Sequence, residues 1–201
     1  MIKKSNKYNY ITGKQITDQG TGKRVYEISN YRLPSVTTIL GATKNQNFIK
    51  QWKAKVGEKE AERIKNHSSS RGTAMHKFLE HYVLGTGYDD LTTDLICLHN
   101  SKETVVDFKQ SNRPKKEEWI EDYYLQIAAY AMAHDYVYGS KIEQGVIMVC
   151  TPDLYYQEFK IEGLQLRKYK HKFLKRLDMY NELIHDEKER AKVDPSTLLK
   201  E

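Results

Sequence analysis

Two aspartates and a lysine stand near one another in the middle of the chain: Asp94, then Asp107-Phe108-Lys109. The flanking runs, Leu95–Leu98 and Thr104–Lys109, are largely apolar and are separated by the polar Asn100-Ser101-Lys102-Glu103, a pattern that predicts a β-hairpin. If Leu98 lies opposite Val105, Ile96 faces Asp107 and Asp94 faces Lys109. Opposed Cβ atoms are about 4.5–5.5 Å apart and diagonal ones about 7–8 Å. Strand alternation then puts Asp94, Asp107 and Lys109 on one face and Leu95, Cys97, Val106 and Phe108 on the other. Burying such charges costs several kcal/mol each unless they are paired, and one lysine neutralises only one aspartate. A hard divalent cation, Mg²⁺ with Mn²⁺ as a substitute, would take up the surplus charge, polarise a phosphoryl oxygen and acidify a water. Lys109 could hold or deprotonate that water, or stabilise charge developing on phosphorus. The same spacing also fits an exposed hairpin end with a surface ion pair worth at most about 1 kcal/mol. A slip of one residue in register would scatter the group.

Other polar residues fall where they could join this cluster. His76 sits on the flank of a stripe formed by Met75, Phe78, Leu79, Tyr82 and Val83, which predicts an amphipathic helix from Gly72 to the Gly85-Thr86-Gly87 stop. A lone flanking histidine is also commonly structural. Gln126 and Tyr130 are one turn apart on a helix expected over 117–135, whose inner face is Ile120, Tyr123, Tyr124, Ile127, Ala131 and His134. Ordinary helix-surface packing would account for them equally. Lys109–Lys116 is basic and loop-like, suited to holding phosphates or to being a solvated turn.

The remaining elements follow from periodicity and punctuation. Tyr8–Thr12 and Lys23–Ile28, around Gly20-Thr21-Gly22, predict a hairpin followed by a loop. Pro34 and Ser35 open a short helix, and 47–66 predicts a second that Ser68-Ser69-Ser70 breaks. Gln144–Cys150 and Tyr155–Ile161 predict strands, and a last helix begins near Leu164. The expected fold is therefore α/β, a small mixed sheet flanked by helices. It is expected to form one domain over 1–201, with an N-terminal hairpin over 1–32, a core over about 33–185 and a charged tail over 186–201.

With 33 Lys+Arg against 27 Asp+Glu, the net charge is +6, and 15 tyrosines accompany it, a composition that suits a polyanionic partner. No apolar run approaches the roughly 18 residues of a membrane span, and the first residues lack the apolar core of a signal peptide. A cytoplasmic protein without membrane contact is expected. Cys97 and Cys150 each sit in a strand-like run and fit reduced thiols; two cysteines cannot make a four-thiolate zinc or iron–sulfur site.

Asp94…Asp107-Phe108-Lys109 resembles the PD-(D/E)XK nuclease signature. Arg71-Gly72-Thr73-Ala74-Met75-His76 resembles the upstream histidine motif of the RecB-like and Cas4-like branch, and Gln126-Ile127-Ala128-Ala129-Tyr130 its Gln-x-x-x-Tyr motif, in the same order. Leu33-Pro34-Ser35-Val36-Thr37, Trp52, Arg113-Pro114-Lys115 and Gly145-Val146-Ile147 are most similar to the mitochondrial genome maintenance exonuclease and phage-encoded exonuclease relatives, from about Leu33 to the last helix. The resemblance implies a restriction-endonuclease-like core. It also implies a Mg²⁺-dependent DNA exonuclease that favours single strands or free ends, in phage DNA degradation, recombination or repair. His76, Asp94, Asp107 and the Phe108 carbonyl would hold the metal, Lys109 would be the catalytic lysine, and Gln126 would orient Lys109 or the substrate. Ser35, Thr37, Arg71, Arg113, Lys115 and Tyr130 would contact DNA. Cas4-like relatives carry an iron–sulfur cluster, for which this chain lacks the cysteines.

One departure stands out. Relatives place a long segment with a further strand between the histidine helix and the metal-binding aspartate, whereas only Leu84–Thr93 intervenes here. That connection implies a segment deleted or missing between about Thr92 and Thr93. Its loss would suit a non-catalytic DNA-binding module of the same fold, the main alternative; a structure-specific endonuclease would share the whole site.

Overall fold

The computed structural model describes residues 7–10, 14–28, 31–84 and 95–192. They form two compact units: the first contains 7–10, 45–84 and 95–170, the second 14–28, 31–44 and 171–192.

In the first unit, β4 (Leu95–His99), β5 (Lys102–Gln110), β6 (Gln144–Cys150) and β7 (Tyr156–Glu162) lie in that order in a four-stranded sheet. The β4/β5 and β6/β7 pairs are antiparallel and β5/β6 is parallel, so the sheet is mixed. Helix α4 (Glu121–Tyr138) makes the crossover between the parallel strands and lies against both. It is preceded by a 3-10 turn, Glu117–Trp119, and ended by Gly139 at φ +62°, so the helix expected over 117–135 begins later and runs further. Val105, Ile147 and Val149 of the sheet pack with Tyr124, Ile127, Ala128 and Ala131 of α4 in the main core, joined by Leu166 of α5 (Gly163–Lys192). These residues show an α/β architecture, a mixed sheet flanked by helices.

The hairpin register differs from expectation. Leu98 pairs with Glu103 and Ile96 with Val105, two residues from the expected pairing. The cause is the turn: Asn100 and Ser101 both take positive φ (51° and 64°), giving a two-residue connection of the kind that matches strand twist. Because the shift is even, every side chain keeps its expected face.

Helices α2 (Asn47–Val56) and α3 (Glu58–Leu84) also correct the expectation. Ser68-Ser69-Ser70 does not break the helix; each serine costs only about half a kcal/mol of propensity, and α3 runs on through Gly72. The break falls at Gly57, whose φ of +85° suits glycine. Met75 and Leu79 of the expected stripe are half-buried, but Phe78 and Tyr82 are exposed.

In the second unit, β1 (Lys14–Thr17), β2 (Arg24–Ile28) and β3 (Tyr31–Pro34) form a three-stranded antiparallel sheet where a hairpin and loop are expected. The β1–β2 turn is closed by Asp18, whose Oδ1 accepts from the Thr21 backbone and hydroxyl, both at 2.8 Å. Helix α1 (Val36–Ala42) begins at Ser35, whose Oγ accepts from Thr38 N at 3.0 Å. At the other end of α1, the Leu40 carbonyl accepts from Arg176 of α5 at 2.6 Å. Helix α5 continues past His185 to Lys192; the remainder of the expected tail lies outside the described residues.

Cys97 and Cys150 are half-buried free cysteines, and burial pushes the Cys97 thiol up. Among the described residues no helix is long and apolar enough to cross a membrane.

Candidate functional site

Strand β5 carries the site because it is covered. Its odd positions, Val105, Asp107 and Lys109, face α4, as the Val105 packing against the core and the Lys109 contact with Gln126 show. Asp107 has no exposed surface, while the Lys109 side chain keeps 19% of its own. The Lys109 ammonium donates to Asp107 Oδ1 at 2.8 Å and sits 2.7 Å from Oδ2. It also donates to Gln126 Oε1 at 3.1 Å, and Gln126 Nε2 donates onward to Tyr130 OH at 2.9 Å. Gln126 and Tyr130 sit one helical turn apart on α4, on a shared flank. The Tyr123 ring lies 5.2 Å from the ammonium, a cation–π contact that the sequence reading assigned only to packing.

The helix that supplies Gln126 is held close to the sheet by a glycine. A Cβ on Gly145 of β6 would stand 2.0 Å from Ile127 Cγ2. Only a residue without a side chain lets α4 seat at that depth, which puts Gln126 within reach of Lys109.

Lys109 satisfies the pairing requirement of Asp107 and the hydrogen bonding of Oδ1, but not that of Oδ2. Oδ2 is near the ammonium yet buried with no directed hydrogen-bond donor. Buried carboxylate oxygens are seldom left so, and a hard cation is one partner that would use such a lone pair. Asp107 therefore fits as one ligand of a divalent metal. Among the described residues, however, no group of three His, Cys, Asp or Glu side chains could hold a metal.

The other expected site residues are distributed as follows. Asp94, and the segment around the Thr92–Thr93 junction, lie outside the described residues. His76 is exposed on α3. Phe108 occupies the β5 alternation opposite to Asp107. Arg71 of α3 donates to Asn112 Oδ1, while Arg113 and Lys115 belong to the loop after β5. Ser35 and Thr37 belong to the second unit, where the buried Ser35 hydroxyl is engaged in capping and in a 3.0 Å contact with Thr37 Oγ1. Sequence reasoning missed Trp119, whose ring lies 5.4 Å from the Arg113 guanidinium and 5.4 Å from the Lys116 ammonium. The available signal was an aromatic residue three positions after a Lys-Lys pair.

No protein-family model matches this chain. No curated protein matches it. Among solved structures, one titled "Crystal structure of SSO0001" is similar over 64% of this chain and 69% of its own, at 17% identity and a TM-score of 0.37.

Proposed function

We propose that the chain is a metal-dependent deoxyribonuclease with a restriction-endonuclease-like core, acting in the cytoplasm as an exonuclease on single-stranded or end-containing DNA. The observation that carries this reading is the Asp107–Lys109–Gln126–Tyr130 chain, in which a fully buried carboxylate has an oxygen without an aligned hydrogen bond beside a partly exposed lysine. A structural ion pair would be better served by apolar residues of the same volume. A carboxylate and an ammonium held at a sheet face suit phosphoryl chemistry.

In this reading Asp94, Asp107, His76 and the Phe108 carbonyl would hold Mg²⁺. The metal, when bound, supplies polarisation of the scissile phosphate and acidification of water. Lys109 presents its ammonium to the charge that grows on the phosphate oxygens in the transition state. Gln126 holds that ammonium through Oε1, and Tyr130 fixes which way the Gln126 amide points. Water attacks phosphorus in line and gives its proton to solvent, the P–O bond to the leaving nucleotide breaks with its electron pair on the leaving oxygen, which takes a proton from solvent, and no covalent enzyme intermediate forms. Arg71, Arg113 and Lys115, with Ser35 and Thr37, contact the DNA backbone.

The test is incubation of purified chain with end-labelled linear and circular DNA, single- and double-stranded, in Mg²⁺, Mn²⁺ or EDTA, beside Asp107→Asn. Metal-dependent loss of linear strands with circles spared, abolished in the variant, is expected. Cut circles would replace the exonuclease with an endonuclease. Salt-sensitive DNA binding without hydrolysis in any metal would overturn catalysis and leave a binding module.

A further inference from the structure

At its open end β5 turns its other face toward a second polar site. Gln110 has the alternation opposite to Asp107 and Lys109. With Ser68 of α3 and Ser111, Asn112, Arg113 and Lys115 of the following loop it lines a cavity of about 310 Å³. No acidic residue lines it, and two cationic ones do.

The loop is built into the fold. Ser111 N–H donates to the Cys150 carbonyl at 3.0 Å, and Ser111 Oγ donates to the Arg113 carbonyl at 2.6 Å. Gln157 of β7 clamps Lys115 from both sides of its peptide unit, accepting from its N–H at 2.6 Å and donating to its carbonyl at 3.0 Å. Arg71 reaches the same loop through its contact with Asn112.

Two buried nitrogens in this patch, Gln110 Nε2 and Arg71 Nε, have no hydrogen-bond acceptor. Both are donors, and a buried donor without an acceptor forfeits its hydration with nothing in return. These two nitrogens lie beneath the surface, and it is Arg113 and Lys115, around a cavity without carboxylates, that define the chemistry of what would fill it: an oxyanion. Trp119, about half exposed, stands beside Arg113 and Lys116 as a stacking surface for a base. Gln110 is three residues along β5 from Asp107, about 10 Å at the usual strand rise and on the other face, so a nucleic-acid strand that meets both passes around the open end of β5.

We infer that the cavity lined by Ser68, Gln110 and the 111–115 loop binds a phosphate group of the strand that is cut at Asp107. The inference rests on the nuclease reading for the identity of that strand. The phosphate has two sources, a terminal monoester or an internal diester.

The test uses the full chain in EDTA at fixed salt, with anisotropy titrations of short labelled single strands bearing a 5′-phosphate, a 3′-phosphate or hydroxyls at both ends. Thermal melts with and without inorganic phosphate run in parallel, on wild type, Ser68→Glu and Gln110→Met. Phosphate is expected to raise the melting temperature of wild type and not of either variant, and each variant is expected to bind DNA at least tenfold more weakly. Loss confined to one phosphorylated end identifies a terminal monoester site; equal loss for all three strands identifies an internal diester site. Variants that melt, respond to phosphate and bind all strands as wild type does would overturn the cavity, while metal-dependent cleavage by wild type would leave the nuclease reading standing. Phosphate stabilisation lost in both variants, with no cleavage in any metal, would keep the oxyanion site and remove the nuclease reading.

Discussion

The first unit contains two lysine–aspartate pairs that differ in how completely the aspartate is satisfied. Asp135 is 26% exposed; its Oδ1 accepts from Ser140 Oγ at 2.8 Å and from Ile142 N at 2.7 Å, and its Oδ2 accepts from Lys170 at 2.9 Å. Asp107 has no exposed surface and a single lysine, whose ammonium donates to Oδ1 and lies 2.7 Å from Oδ2 without an aligned hydrogen bond to it. The Asp135 pair ties the end of α4 to the segment entering β6 and to α5, and its carboxylate is spent on that task. The Asp107 pair joins two residues of one strand, and its lysine reaches Gln126 of α4. Full hydrogen bonding marks the structural pair; the proposed function assigns the other, whose Oδ2 lacks an aligned hydrogen bond, to chemistry.

The largest expected effect separates the two pairs directly. Lys109→Met leaves a fully buried carboxylate without its cation and should cost about 3–5 kcal/mol in urea unfolding. Adding Asp107→Asn should recover most of that loss. Asp107→Asn alone, checked for native folding by circular dichroism, should lower the initial rate of DNA cleavage by at least about 10²-fold. Equal rates in this variant and in wild type would remove Asp107 from the site.

Gly145→Ala should destabilise by about 1–3 kcal/mol, since its Cβ would overlap Ile127 and push α4 off the sheet. The displacement should also lower cleavage in the folded fraction, because Gln126 would leave Lys109. Ile127→Ala in the same chain should restore part of both. A Gly145→Ala protein with unchanged melting and rate would show that the helix depth is set elsewhere.

Lys170→Met should cost only about 1 kcal/mol or less, because its partner is partly exposed and keeps two other donors. Cleavage by this variant should stay close to wild type. A rate loss like that of Asp107→Asn would erase the distinction between the pairs.

The smallest effect is a pH dependence at the structural pair. Ser140 gives its one hydroxyl proton to Asp135, so His134 Nδ1, 2.7 Å from Ser140 Oγ, must carry the proton between them. The neutral ring then accepts at Nε2 from Tyr10 OH, 3.2 Å away. Around it lie the rings of Tyr8, Tyr10 and Tyr138. Burial lowers the His134 pKa from 6.5, outweighing the opposite pull of the Asp135 and Glu103 carboxylates; Lys7 adds to the lowering. The unfolded chain therefore takes up a proton below about pH 6.5 that the folded chain refuses. Stability from this residue is complete above that pH and declines below it, by at most about 1.4 kcal/mol per pH unit. His134→Gln should flatten that part of the stability–pH curve; an unchanged curve would place the titration in another group.

Much of the candidate site was legible because it rests on two local periodicities. Alternation along β5 puts Asp107 and Lys109 on one face whatever the partner strand does, and the even register shift left that intact. Helical spacing puts Gln126 and Tyr130 on one flank of α4. The strands Gln144–Cys150 and Tyr156–Glu162 stood out for the same reason. The hairpin register was not legible, since Asn100 and Ser101 can lie in a longer turn or take the left-handed conformation they adopt here. Ser68-Ser69-Ser70 looked like a stop because serine is a weak helix former, but weak propensities yield to the helix around them.

By itself, the amino-acid sequence determined which residues share a face, because side-chain direction repeats every two residues in a strand and every 3.6 in a helix. It determined the net positive charge and the residue types able to meet a phosphate. Only the tertiary structure decided which faces meet. Nothing local says that Gly145 lets α4 approach until Gln126 reaches Lys109, or that Asp107 is buried with one oxygen lacking an aligned hydrogen bond while Asp135 is fully engaged. Those outcomes depend on contacts between residues far apart in the chain, whose geometry is set by packing.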